Sequence, residues 1–249
     1  FLLIFFQKIY LKFIFKKKKK INLNIKYKMF KKKKNKISYE EFTKNLKTGD
    51  LLLYDTRFWY SKLIEYFTNS KYSHVALIIK KPIWLCPNLQ EEFYLIESGG
   101  EVFNDSISQK PKFGVRVSPL RIVYDQYLSE GYGQLYIRNI ITDLPLHQIE
   151  DSIKKAYYKV INDVYDINPL DWLRAYYNIN KSIKQIDINK DNEKTNTFTC
   201  SAFISYIFVE IGFLDKNIPW TILAPSDFSV YNNRLTFKNC SFTPDKYYI

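Results

Sequence analysis

The chain has 249 residues, 18% of them aromatic, and a formal charge of +13, which is length enough for one ordinary domain with a sizeable core. Its three cysteines (Cys86, Cys200, Cys240) and two histidines (His74, His147) are scattered, which excludes a disulfide framework and leaves no metal-ligand spacing; a reducing compartment, no metal and no cofactor are the expectation. The charge would point to nucleic acid or an anionic membrane if it were spread over the fold. Instead, fourteen lysines and no acid fall in residues 1–36, and the chain from Ile37 onward carries −1.

Two segments follow from that asymmetry. Residues 1–36 read as a basic, disordered tail, and residues 37–249 as the domain. Apart from Gln7, every residue from Phe1 to Lys28 is Phe, Leu, Ile, Lys, Asn or Tyr, the set written by codons of A and T alone, so translation is expected to begin at Met29. The apolar stretch Phe1–Phe15 is broken by Lys8 and Lys12 and is too short to span a bilayer; no small-residue cleavage site marks a signal peptide. The run Lys31–Lys36 reads as solvated, with weak attraction to anionic lipid and no specific nucleic-acid partner. The composition fits an AT-rich genome, a large DNA virus or a protist; a cytoplasmic location is the default, with virion association or the membrane periphery as alternatives.

The domain opens on Ser38-Tyr39-Glu40-Glu41, a capping-box pattern expected to start a helix reaching Leu46. A strand follows over Gly49–Asp55, then a helix over Phe58–Phe67. The β-branched and apolar run Ser73–Lys80 predicts a strand buried on both faces, with Phe93–Glu97 as its antiparallel partner. Further strands are expected at Val115–Val117 and Gly133–Ile140, separated by a helix through Ile122–Leu128. The C-terminal half is predicted helical over Leu146–Ile161, Leu170–Tyr177 and the run starting at Cys200. Asn178–Thr197, rich in Asn, Lys and Asp, reads as a mobile insertion. The fold class is α+β.

Cys200 stands where a polar stretch gives way to the apolar run Phe203–Leu214. That is the first turn of a buried helix, where free N–H groups and the helix dipole favour thiolate. A thiolate nucleophile needs a proton partner. His74, entering the buried strand, is held rigidly, whereas His147 follows Leu144-Pro145-Leu146 at the start of an amphipathic helix and is discounted. Glu97, at the end of the returning strand, is the acceptor that would anchor the imidazole. Taken singly, each residue is more often packing or solvated loop than chemistry; the conjunction of the three is what points to catalysis.

The ordered set Thr48-Gly49-Asp50-Leu51-Leu52-Leu53, Ser61 to Ser70, Tyr72-Ser73-His74-Val75-Ala76-Leu77, Leu95-Ile96-Glu97-Ser98, Val115-Arg116-Val117-Ser118-Pro119-Leu120, Val164-Tyr165-Asp166, Thr199-Cys200-Ser201 and Ala224-Pro225-Ser226-Asp227-Phe228 resembles the permuted papain-like hydrolases of the YaeF/YiiX type. These belong to the wider NlpC-type cysteine peptidase superfamily and include poxviral members. The resemblance spans Thr48 to Phe228, and the order His, Glu, Cys sets the permuted group apart. It implies a small antiparallel sheet packed on helices, Cys200 as nucleophile, His74 as base and Glu97 as the third polar group, working through an acyl-enzyme on a peptide, amide or acylated small molecule. The Cys200 N–H and a donor near Tyr54 would hold the oxyanion, and Tyr54 and Tyr72 are candidates to line the substrate groove. Two readings stay beside it: a lipid acyltransferase or phospholipase of the lecithin:retinol acyltransferase-like type, and an inactive structural or virion-associated protein.

Overall fold

A computed structural model describes residues 37–57, 70–162, 164–165, 197–232 and 234–248. The expected helices over Phe58–Phe67 and Leu170–Tyr177, and the insertion up to residue 196, lie outside the described residues. At Thr197 the prediction of a mobile loop is corrected, because Thr197–Phe198 is a short strand leading into Cys200.

The centre of the domain is a six-stranded antiparallel sheet. Its strands are β1 (Leu51–Thr56), β2 (His74–Lys80), β3 (Phe93–Asn104), β4 (Pro111–Pro119), β5 (Gly133–Arg138) and β10 (Lys246–Tyr248), in the order β10-β5-β1-β2-β3-β4. Two-residue strands β6 (Ile140–Ile141) and β9 (Ser241–Phe242) pair antiparallel, and β7 (Val164–Tyr165) runs parallel to β8 (Thr197–Phe198). The partner of the His74 strand is longer than expected. It runs on through Gly99-Gly100, which the sequence suggested as a loop, and β4 matches it up to an irregularity between Gly99 and Phe103. The C-terminal edge strand β10 was not anticipated at all.

Strand residues alternate between faces, and here both faces are covered. Leu51, Leu53, Val75, Leu77, Ile79, Ile96, Val115 and Val117 share one core with helices α3 (Leu146–Val160) and α4 (Cys200–Ile211). Leu52, Ala76, Ile78, Leu95, Leu135 and Ile137 share a second core with helices α1 (Tyr39–Thr43) and α2 (Leu120–Tyr124). This is why β1 and β2 read as continuous apolar runs. The two large helices differ in kind. α3 is amphipathic, burying Ile149, Ile153, Ala156, Tyr157 and Val160 along one stripe, while α4 buries nearly every side chain, as befits a helix enclosed on all sides.

The helix ends follow local rules. Ser38 accepts a hydrogen bond from the Glu41 N–H at 3.1 Å, so the expected cap is present, although α1 closes at Thr43 rather than Leu46. α2 begins earlier than predicted, at Leu120 behind Pro119, and continues into a π-helical turn over Asp125–Ser129. α4 ends at Gly212, whose φ of 89° lets its N–H reach back to Phe208 and Val209. No described helix is long and apolar enough to cross a membrane.

Candidate active site

One row of side chains crosses the sheet. Tyr54 on β1 stands opposite His74 on β2, and Glu97 on β3 stands opposite Arg116 on β4. The β2–β3 register pairs Leu77 with Ile96, so Ala76 stands opposite Glu97 and His74 lies two residues along on the same face. Diagonal neighbours at that offset are within reach of long side chains. Four strands therefore bring Tyr54, His74, Glu97 and Arg116 together on one face, before any loop contributes.

The row is hydrogen-bonded in series. His74 Nε2 and Glu97 Oε2 are 2.8 Å apart. The other carboxylate oxygen, Oε1, accepts from Arg116 Nε at 3.0 Å and pairs with the second guanidinium nitrogen at 2.9 Å, with Ser118 Oγ at 3.4 Å. Glu97 is buried and both its oxygens are occupied. The simpler reading of Glu97 as a solvated loop carboxylate fails because the strand extends past it and draws it under cover.

Cys200 enters from the other core. It is the first residue of α4, whose cap, Thr199, accepts a hydrogen bond from the Ala202 N–H at 3.2 Å. The thiol is buried beside His74 and interacts electrostatically with it, and the backbone N–H groups of Val75 and Ser201 act on the thiol in the same sense. Since His74 gives Nε2 to Glu97, its Nδ1 is the nitrogen left for the sulfur. Cys200, His74 and Glu97, far apart in sequence, thus come together in one place, with His74 hydrogen-bonded to Glu97. Cys86 and Cys240 take no part in this chain of contacts; Cys240 is packed against the apolar core, where burial pushes its thiol up to about 12.

The electrostatics act in one direction along the row. Burial alone pushes the Glu97 carboxyl up, but the Arg116 guanidinium and the His74 hydrogen bond overcome it and hold the group at about 2. Burial pushes His74 down, yet its contacts with Cys200 and Glu97 raise it to about 9. For Cys200, burial favours the neutral thiol; pairing with His74 and the two backbone N–H groups reverse that and bring the thiol below its ordinary value. Each group is thus moved toward its charged form: the carboxyl toward carboxylate, the imidazole toward imidazolium and the thiol toward thiolate.

The two tyrosines behave differently. The Tyr54 ring stands edge-on to the His74 ring at 4.8 Å between centroids, and its buried hydroxyl has no hydrogen-bond partner. A buried hydroxyl left unpaired costs about 1–3 kcal/mol, and this one lies on the tyrosine that packs against His74. Tyr72 is a correction. It is only 2% exposed and its hydroxyl donates to Asp245, which also accepts from Ser229 Oγ at 2.7 Å and pairs with Arg138 at 3.3 Å. It ties the entry of β2 to the segment before β10 and lines no groove, because its polar end is spent on a buried carboxylate.

Sequence reading missed Arg116, although the residue lay within a quoted motif. The signal was there: a carboxylate on a strand buried on both faces needs a cationic partner, and Val115-Arg116-Val117 supplies one on the next strand. His147 is exposed at the start of α3, away from these contacts. Among the described residues, no group of three or more His, Cys, Asp or Glu side chains is arranged to hold a metal ion.

No family model and no curated protein sequence matches the chain. Among solved structures, five chains match. One is the crystal structure of the metalloprotein YiiX from Escherichia coli O157:H7, with 15% identity and a TM-score of 0.39 over 80% of this chain and 97% of that one. The likeness to a YiiX-type protein is a loose one, and the metal in that description belongs to that protein.

Proposed function

We propose that the chain is a thiol hydrolase, a peptidase or amidase with a permuted papain-like arrangement, in which Cys200 is the nucleophile, His74 the acid–base group and Glu97 the group that orients and charges the imidazole. The observation that supports this most is the 2.8 Å hydrogen bond from His74 to the buried Glu97 carboxylate, with Cys200 coupled electrostatically to the same His74. A structural cysteine has no use for a half-buried imidazole backed by a buried, ionised carboxylate.

The chemistry runs in two halves. The thiolate attacks the carbonyl carbon of an amide, ester or thioester, forming a carbon–sulfur bond while the carbonyl oxygen takes the negative charge. The N–H of Cys200, at the first helical position and without an intrahelical acceptor, and the Tyr54 hydroxyl serve as donors to that oxygen. His74 gives its proton to the leaving amine or alcohol as the tetrahedral intermediate collapses to an acyl-enzyme. Water, deprotonated by the now neutral His74, then releases the acid and restores the ion pair. Glu97 keeps its charge throughout, because its pKa of about 2 leaves it unable to take the proton at neutral pH. The substrate is a peptide, amide or acylated small molecule.

This reading fixes the pH dependence. The thiol, lowered from 9.0, ionises on the acid limb, and His74 loses its proton at about 9. Hydrolysis needs both the thiolate and the imidazolium, so kcat/KM should rise through the acid limb and fall through about 9. Alkylation of Cys200 by iodoacetamide needs only the thiolate, and should rise through the same acid limb and stay high. Alkylation that begins only near the ordinary thiol value would overturn the assignment.

A further inference from the structure

Arg116 holds more than a structural ion pair. Its guanidinium takes Glu97 Oε1 with two nitrogens, at 3.0 and 2.9 Å, and lies 5.3 Å from the centroid of the Phe103 ring. It reaches that place over Gly99. A Cβ added there would stand 2.4 to 2.7 Å from three guanidinium atoms, closer than any carbon tolerates, so the bare α-carbon of Gly99 is what admits the arginine. Gly99 and Arg116 flank Glu97 on adjacent strands, Glu97 directly opposite Arg116 and Gly99 opposite Gly114. An arginine and the gap that receives it thus come as a matched pair, aimed at the third group of the site.

Building on the reading of Cys200, His74 and Glu97 as a reactive site, we infer that Arg116 is a positioning residue, seated by Gly99, that keeps Glu97 ionised and turned toward His74 and thereby sets how much of Cys200 is thiolate at neutral pH. Among the described residues, the groups facing the site from each packed element are Tyr54 on β1, His74 on β2, Glu97 on β3, Arg116 and Ser118 on β4, Tyr127 in the π-helical turn, whose ring is 5.2 Å from that of Tyr54, and Cys200 on α4. Arg116 is the cation among them that touches Glu97 besides His74. Without it, burial drives the carboxyl toward its neutral form, the imidazolium loses the charge behind it, and the thiol regains its proton.

The test reads the acid limb of Cys200 alkylation, followed by peptide mass, and does not depend on any substrate. In the full chain, Arg116→Met should move that limb upward by about one pH unit or more. Gly99→Ala keeps every charge but displaces the guanidinium, and should move it in the same direction. In a Glu97→Gln background, where the limb has already moved, adding Arg116→Met should shift it little further, since the arginine acts through the carboxylate. Circular dichroism melting identifies folded variants, and if Arg116→Met does not fold, Gly99→Ala decides. Wild-type limbs in the folded variants would overturn the inference, as would an equal further shift in the Glu97→Gln background. If the chain hydrolyses nothing, the proposed function fails, while the alkylation limbs still judge Arg116.

Discussion

Cys200→Ala is expected to abolish turnover, lowering kcat/KM by a factor on the order of 10⁴ or more, because removal of the nucleophile leaves only binding and oxyanion donors to act on the substrate. The loss should be confined to chemistry. The residue is small and buried at the first position of α4, and the Thr199 cap and Gly212 end remain, so replacing one sulfur by hydrogen should cost about 1 kcal/mol of stability. Substrate binding, measured by calorimetry with a non-hydrolysed analogue, should persist. Retention of a tenth of the wild-type rate would remove Cys200 from the reaction.

His74→Ala should have the second largest effect, and its signature is a change of shape as well as of size. Without the imidazolium, nothing ionic opposes the burial that favours the neutral thiol. Alkylation of Cys200 at pH 7 should therefore fall by about 10–100-fold, and recover only at or above the ordinary thiol value. Hydrolysis should fall further than alkylation at every pH, because the proton for the leaving group is lost too. Equal losses in the two assays would make His74 a mere electrostatic neighbour, and no loss in either would separate it from the sulfur.

Most of the site was legible in the sequence for physical reasons. A polar-to-apolar switch at Thr199-Cys200-Ser201 marks a helix start whatever its partners, and the apolar run after His74 marks a strand with both faces covered. Glu97 was legible as the end of a returning strand, but its burial was not, because the strand continues through two glycines that commonly signal a turn. Arg116 was hidden for the same reason: its function depends on register across β3 and β4, which local pattern does not encode. Tyr72 misled because an aromatic two residues before a candidate catalytic histidine looks like a groove wall. Its acceptor, Asp245, is 173 residues away, at a distance where sequence periodicity carries no information. The edge strand β10 escaped because three residues are too few for an alternation to declare itself.

Composition told a separate truth. The large positive charge belongs to residues 1–36, and the domain that carries the site is close to neutral. The row from Tyr54 to Arg116 therefore works by local pairing: one cation, one carboxylate, one imidazole and one thiol, each placed by strand register or by a helix start.

The most direct test is competitive alkylation of the native full chain at pH 6, with a limiting amount of iodoacetamide and quantitation of Cys86, Cys200 and Cys240 by peptide mass. Cys200 should be modified first despite being the most buried of the three, because a sulfur moved toward thiolate outruns thiols that are merely more accessible. Modification of Cys86 or Cys240 ahead of it, with Cys200 untouched until the protein unfolds, would mean that the sulfur, imidazole and carboxylate form a packed core contact and no reactive site.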